Sequence, residues 1–324
     1  EDQARALEAA ALIPGITQAE ASSAFSRREI FYAQSNGFSG GYGRTSHSRS
    51  VVAICGSGTA MERDWAGEGR SHAADLPPAE GIGQLAAERA LSRLKSRKIK
   101  TCEVPVLFES TLAAGLLGAY VQATSGGALY RKATFLPDSL GQQVLAAHID
   151  IDEDPHTPKG KASAPFDDEG VRTTQRRVVD AGVVQGWFLS SYSARKLGMK
   201  TTGHAGGSQN LAMSSRHTQP GDDLPAMLRK LGRGLFVTEL MGQGVNYVTG
   251  DYSRGAAGFW VENGRIVAPV NVMRFDDSFL RLFGEGLVAL GDRAEQDLRL
   301  RRSLRRNAAV PAAAPPTAAD PHRA

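Results

Sequence analysis

The chain has 324 residues, 41% hydrophobic and 22% charged, with only 2 cysteines. This is an ordinary globular composition, long enough to bury a core without disulfides and unlike a disordered or disulfide-stapled chain. The net charge of +4 lies wholly beyond Asp292, where Arg293, Arg299, Arg301, Arg302, Arg305, Arg306 and Arg323 stand against Glu295, Asp297 and Asp320. The body is therefore neutral and carries no basic field to attract nucleic acid. No apolar run approaches the ~18–20 residues of a membrane helix. Cys55 and Cys102 fit no metal or redox spacing and read as two reduced, buried thiols of a cytosolic protein.

In chain order, "EDQARALEAAALI" predicts a helix with an apolar stripe at Ala6, Ala9, Ala10 and Ile13, closed by Pro14-Gly15. From Arg28 to Gly69, short β-forming runs are separated by Asn36-Gly37, Gly40-Gly41 and Gly56-Ser57-Gly58, the pattern of antiparallel hairpins. "GIGQLAAERALSRLKSRKI" returns to helical spacing through Leu85, Ala86, Ala90, Leu91 and Leu94, with basic residues in its last turn. "KTCEVPV" predicts a linker, which sets one domain at 1–103 and a second at 104–291. The second is read as short strands, with turns at Asp180-Ala181-Gly182 and Glu262-Asn263-Gly264. A short helical segment ends "RRVVDAGVVQGWFLSSYSARKLG", and a helix over "DLPAMLRKLGRG" can be capped by Asp222 or Asp223. Residues 292–324 read as an Arg-rich helical piece and a disordered Ala/Pro tail. The fold class is α+β: a partial mixed N-terminal domain, then a mostly antiparallel, barrel- or sandwich-like domain with a few helices.

The run "LFVTELMGQGVNYVTGDYSRGAAGFWVENG" is the place to look for a phosphate loop. Gly242-Gln243-Gly244 lacks the third glycine of a dinucleotide motif, and no Lys-Ser/Thr pair follows. Its glycines fall between period-two runs, so it reads as a β-meander. None of His47, His72, His148, His156, His204, His217 and His322 forms an HExxH or HExxxH pair. His204 lies in the flexible-looking segment "TTGHAGG" and is either a loop histidine or a functional one. Asp251, Tyr252 and Arg254 fit equally a cleft lining and a solvated turn. No GxSxG elbow concentrates the Ser, His and Asp candidates.

Four runs resemble the TldD/PmbA family, in its PmbA (TldE) branch: "MERDWA", "SGGALYRKATFLPDSLG", "PFDDEGVRTTQRRVVDAGVVQGWFLSSYSARKLGMKTTGHAGG" and "TELMGQGVNYVTGDYSRGAAGFWVENG". The resemblance covers roughly residues 20–290. It implies a cytosolic two-subunit metallopeptidase that processes peptides or degrades small unfolded proteins, and a name linked indirectly to DNA gyrase. In the TldD branch an HExxxH helix and a later cysteine hold zinc. The matching positions here are Gly118, Ala119 and Ala123, and no cysteine follows Cys102. The resemblance thus implies no catalytic or metal residue in this chain, with zinc expected in a TldD-type HExxxH partner. No direct nucleic-acid binding and no membrane association are expected.

On that reading this chain encloses a chamber and binds the peptide in extended form, by strand addition to a glycine-rich edge. Thr238, Gly242 and Gly244 are the leading substrate-side candidates, with His204, Asp251, Tyr252 and Arg254 beside them. Two alternatives stand: a peptide-binding or regulatory homodimer without proteolysis, and an independent hydrolase around His204 and Asp251. Relative to the family the chain starts inside the N-terminal domain, and its tail replaces a strand-forming segment, so a truncated family member is a further expectation.

Overall fold

A computed structural model describes residues 1–292 and 308–310. The predicted Arg-rich helix and most of the Ala/Pro tail lie outside the described residues. The chain forms two compact units: Glu1–Ser96 with Pro155–Thr174, and Arg97–Asp154 with Gln175–Ala324.

In the first unit, α1 (Asp2–Ala11) and α2 (Ala79–Ser92) pack on a sheet of β1 (Ile16–Ala33), β2 (Ser39–Cys55) and β3 (Glu62–Arg70), ordered β1-β2-β3. Leu7 and Ala11 of α1 are fully buried, and Ala6 and Ile13 pack at the margin of the same core. The predicted stripe was displaced because Ala9 faces solvent while the i, i+4 pair Leu7/Ala11 meets the sheet. On α2 the buried face is Ala79, Ile82, Gly83, Ala86, Ala87 and Ala90, and Leu85 is 47% exposed. The helix also ends at Ser92, earlier than its spacing suggests; Lys95 beyond it adopts φ 62°.

The predicted turn at Asn36-Gly37 is present, with Asn36 Oδ1 accepting from the Phe38 amide and Gly37 at φ 93°. Gly40-Gly41, in contrast, lies inside β2, opposite Tyr32 and Phe31. A side chain at Gly41 would meet the Phe31 ring, so the glycine makes room for an aromatic neighbour instead of a turn.

The second unit holds β4 (Val106–Phe108), α3 (Ser110–Ala123), α4 (Gly126–Tyr130), β5 (Ile149–Glu153), β6 (Arg176–Asp180), β7 (Val183–Val184), α5 (Ser191–Lys196) and β8 (Leu211–Ser215). There follow α6 (Leu224–Leu231), β9 (Gly234–Met241), β10 (Asp251–Glu262), β11 (Arg265–Ser278), α7 (Phe279–Phe283), β12 (Ala289–Leu290) and β13 (Ala308–Val310). One sheet runs β11-β10-β9-β4-β13-β12 and the other β7-β6-β5-β8; among the described residues neither closes into a barrel. All pairings are antiparallel except β4 with β9.

The large core joins Phe108, Leu117, Tyr120, Ile149, Ile151, Val178, Val237 and Phe279. Each such side chain withdrawn from water contributes about 1.5–3 kcal/mol. Local chemistry sets the element ends. Asp223 caps α6 by accepting from the Ala226 amide at 2.9 Å, whereas Asp222 pairs with Lys230 Nζ at 2.7 Å. Asn263 and Gly264 adopt φ 50° and 71°, the left-handed pair that a two-residue hairpin requires.

Candidate functional site

Ile149, Ile151 and Glu153 share one face of β5, and all three have no exposed surface. Alternation therefore carries a carboxylate into a position that the two isoleucines mark as core. Arg176, directly opposite on β6, donates from Nε to Glu153 Oε2 at 2.8 Å. The His204 Nε2–H donates to the same oxygen at 2.9 Å, and the Gln209 amide donates to Oε1 at 2.7 Å. Arg176 also donates to the Trp187 carbonyl at 2.8 Å and stacks 4.7 Å from the Phe188 ring centre. Burial pushes the Glu153 carboxyl up, but the His204 hydrogen bond and charge, then Arg176, outweigh it and hold its pKa below the ordinary value.

This cluster fixes the flanks of the loop 201–210. Thr201 Oγ1 and the His204 amide both donate to the Leu189 carbonyl, and His204 Nδ1 meets Thr202 Oγ1 at 2.9 Å. The tip, Gly206 and Gly207, is exposed at φ 95° and 112°. The segment that looks flexible in sequence thus has a rigid base: His204 is only 6% exposed. Sequence reasoning missed Glu153 and Arg176. The legible signal was Glu153 falling on the isoleucine face of "IDIDE".

The other candidates gather at β9 and β10. Leu235 N donates to the Pro105 carbonyl and Glu109 N to the Val237 carbonyl, so Leu235 and Val237 direct their backbone polar groups toward the β4 side; the register shift at Thr238 reverses that parity for the rest of β9. The β4 ladder ends at Phe108↔Val237, while the β10 ladder continues to Met241↔Gly255. Residues Thr238–Met241 therefore form a half-buried margin of the sheet, followed by Gly242 at φ 79° with no atom within 4 Å of an added Cβ. Gly244 lies where a Cβ would stand 1.5 Å from the Ser253 carbonyl oxygen, and its own carbonyl accepts from the Ser253 amide at 2.7 Å. Only glycine permits that approach.

Asp251 is exposed and accepts from Thr249 Oγ1 at 2.6 Å, within the turn that Asn246 Oδ1 caps at Val248. Tyr252 is 3% exposed, with its ring edge-on to Phe275 and Phe279. Burial pushes its phenol up against the opposing Arg254 charge and hydrogen bond. His204 and the β9–β10 candidates share no hydrogen-bond partner.

On α3, Gly118 is exposed and Ala119 and Ala123 are buried, at 3% and 0%. None of the three carries a donor atom that could hold a metal ion. Among the described residues no group of three His, Cys, Asp or Glu side chains comes together, and no helix is long and apolar enough to cross a membrane. The side chains at these three α3 positions do not fit a zinc site, and Cys102, expected to be buried, is exposed.

This mixed α+β chain has counterparts among proteins named as metallopeptidases. A profile described as the PmbA/TldA metallopeptidase central domain matches residues 1–94, and one described as the C-terminal domain matches 101–317. The metalloprotease PmbA of Escherichia coli O157:H7 is 50% identical over 240 residues, covering 74% of this chain and 52% of that protein. A solved candidate modulator of DNA gyrase from Bacteroides thetaiotaomicron superposes with a TM-score of 0.87 at 28% identity, over 96% of this chain and 69% of that one. TldE from Thermococcus kodakarensis shares the fold, with a TM-score of 0.77 at 18% identity over 94% of this chain and 73% of that one.

The chain belongs to the PmbA/TldD metallopeptidase family, in its PmbA (TldE) branch. It spans about half the length of the curated relatives it matches.

Proposed function

We propose that this chain is the peptide-holding subunit of a cytoplasmic TldD/TldE-type peptidase, whose HExxxH partner carries the zinc. The metal in the partner would supply the activated water; this chain's part is to enclose and orient the peptide. The observation that carries the reading is the β9 margin, where the strand outlasts β4 by Thr238–Met241 and runs into the open space at Gly242. An extended peptide added there would satisfy its main chain with little demand on sequence, as processing of varied substrates requires.

The test uses strand parity. Beyond the bulge at Thr238, Glu239 and Met241 turn their backbone groups to β10 and Leu240 directs its amide toward the margin, so Leu240→Pro removes a docking donor while leaving the β10 ladder intact, with Leu240→Ala as the control for the lost side chain. The full chain, with the partner that co-purifies, should lose peptide binding and cleavage in this variant, with a thermal midpoint close to that of the wild type. Undiminished binding by a folded Leu240→Pro protein would exclude strand addition at β9.

A further inference from the structure

One step beyond the last β9–β10 pair, Met241↔Gly255, stand Gly242 and Arg254. Arg254 is paired with Phe275 across β10–β11 and shares its face with Tyr252 and Ala256. That is the core face: Tyr252 and Ala256 are 3% and 0% exposed, and Phe275 packs edge-on to Phe108. Ser253, one residue earlier, points the other way and accepts from the solvent-exposed Arg274. The β10 pleat thus turns a half-buried guanidinium into an aromatic wall.

Its Nε is fully buried and has no hydrogen-bond acceptor. Among the described residues Arg254 has no carboxylate partner, and Tyr252 is the side chain that senses its charge and hydrogen bond. A half-buried guanidinium whose Nε lacks an acceptor is a position that an incoming anion can complete. Access comes from the margin side. Gly242, beside Arg254, contributes no side chain, and a Cβ there would meet nothing within 4 Å.

From this we propose that Arg254 is a specificity-determining residue that receives a carboxylate of the bound peptide, either its C-terminal group or an acidic side chain. The inference rests on the peptide-holding reading above. An arginine fork pairs with a carboxylate through two parallel hydrogen bonds, whereas strand addition at the neighbouring β9 margin reads the peptide's main chain. Strand addition then supplies sequence-tolerant affinity and Arg254 supplies choice.

The experiment measures binding of fluorescent peptides of one sequence to the full chain with its co-purifying partner. One peptide has a free C-terminus, one a C-terminal amide, and two amidated forms carry an internal Glu or Gln. Wild type should favour one carboxylate form over its neutral counterpart by about tenfold, the size of a charged hydrogen bond. The C-terminal pair and the Glu/Gln pair tell which carboxylate is read. Arg254→Met keeps the aliphatic stem and should erase the preference while still binding the amide. Arg254→Lys should restore part of it. Equal affinity for all four peptides in wild type would overturn the role of Arg254 and leave strand addition standing. Absence of binding by all four would remove the peptide-holding reading itself, and with it this assignment.

Discussion

Replacing Glu153 by Gln preserves volume and removes the charge that three donors share. Glu153 has no exposed side-chain surface, and Arg176 retains 17%. The variant leaves that cation and the His204 Nε2–H without a carboxylate and turns an amide NH2 toward donors. Removing one partner of a buried pair costs about 3–5 kcal/mol; the amide still accepts from Gln209, so we take the lower end. With a urea slope of about 2 kcal/mol/M, the midpoint should fall by about 1.5 M. Trp187, whose carbonyl accepts from Arg176, is the fluorescence reporter, and exchange of the Gln209 amide is the local one.

The pH dependence fixes the cause. The folded-state pKa lies below the ordinary 4.5, so the carboxylate's contribution is complete above that value and fades as pH falls through the folded pKa. The gap between wild type and variant should hold at neutral pH and close in acid. A midpoint shift below about 0.5 M, or a gap that persists unchanged to strongly acidic pH, would refute the assignment.

Two further outcomes are expected. His148 donates from Nε2 to the Leu287 carbonyl at 2.8 Å and stacks 4.2 Å from the His217 ring. Burial pushes its pKa below 6.5, reinforced by His217 and opposed by the Leu287 bond. The unfolded chain therefore takes the proton first, so stability should drop as pH falls below 6.5. His148→Gln should flatten that part of the stability–pH curve, and an unchanged slope would contradict it. Gly244→Ala places a Cβ 1.5 Å from the Ser253 carbonyl oxygen. It should cost about 1–3 kcal/mol and expose the Ser253 amide to exchange, whereas native-like protection there would show that the loop can shift without loss.

The sequence made the hairpins, the β9–β11 meander and the mixed fold class readable, because period-two runs and Asn-Gly pairs act over a few residues. Helix faces were harder. On α1 and α2, alanines fill most of the positions, and which ones are buried depends on where the sheet lies. Gly40-Gly41 was misleading for a related reason: the same residue type marks a turn in isolation and a slot for Phe31 in a ribbon. Between the candidate locales, legibility divided by range. Gly242 and Gly244 stood out locally. The Glu153–Arg176–His204 cluster unites residues 51 positions apart, and nothing short-range announces that pairing except one acid on an isoleucine face.

That acid raises a question of purpose which stability alone does not answer. Apolar side chains of similar volume at a buried ion cluster are often as stable as the ions they replace, so a Leu at 153 with apolar partners could fill the same space. What it could not do is accept from the Gln209 amide on one oxygen and from Arg176 and His204 on the other. Those bonds fix direction as well as proximity, and two of them end on the loop that carries Gly206 and Gly207. Packing would hold the loop near the sheet; the carboxylate, together with the Leu189 carbonyl that accepts from Thr201 and His204, sets the angle at which its exposed backbone leaves it.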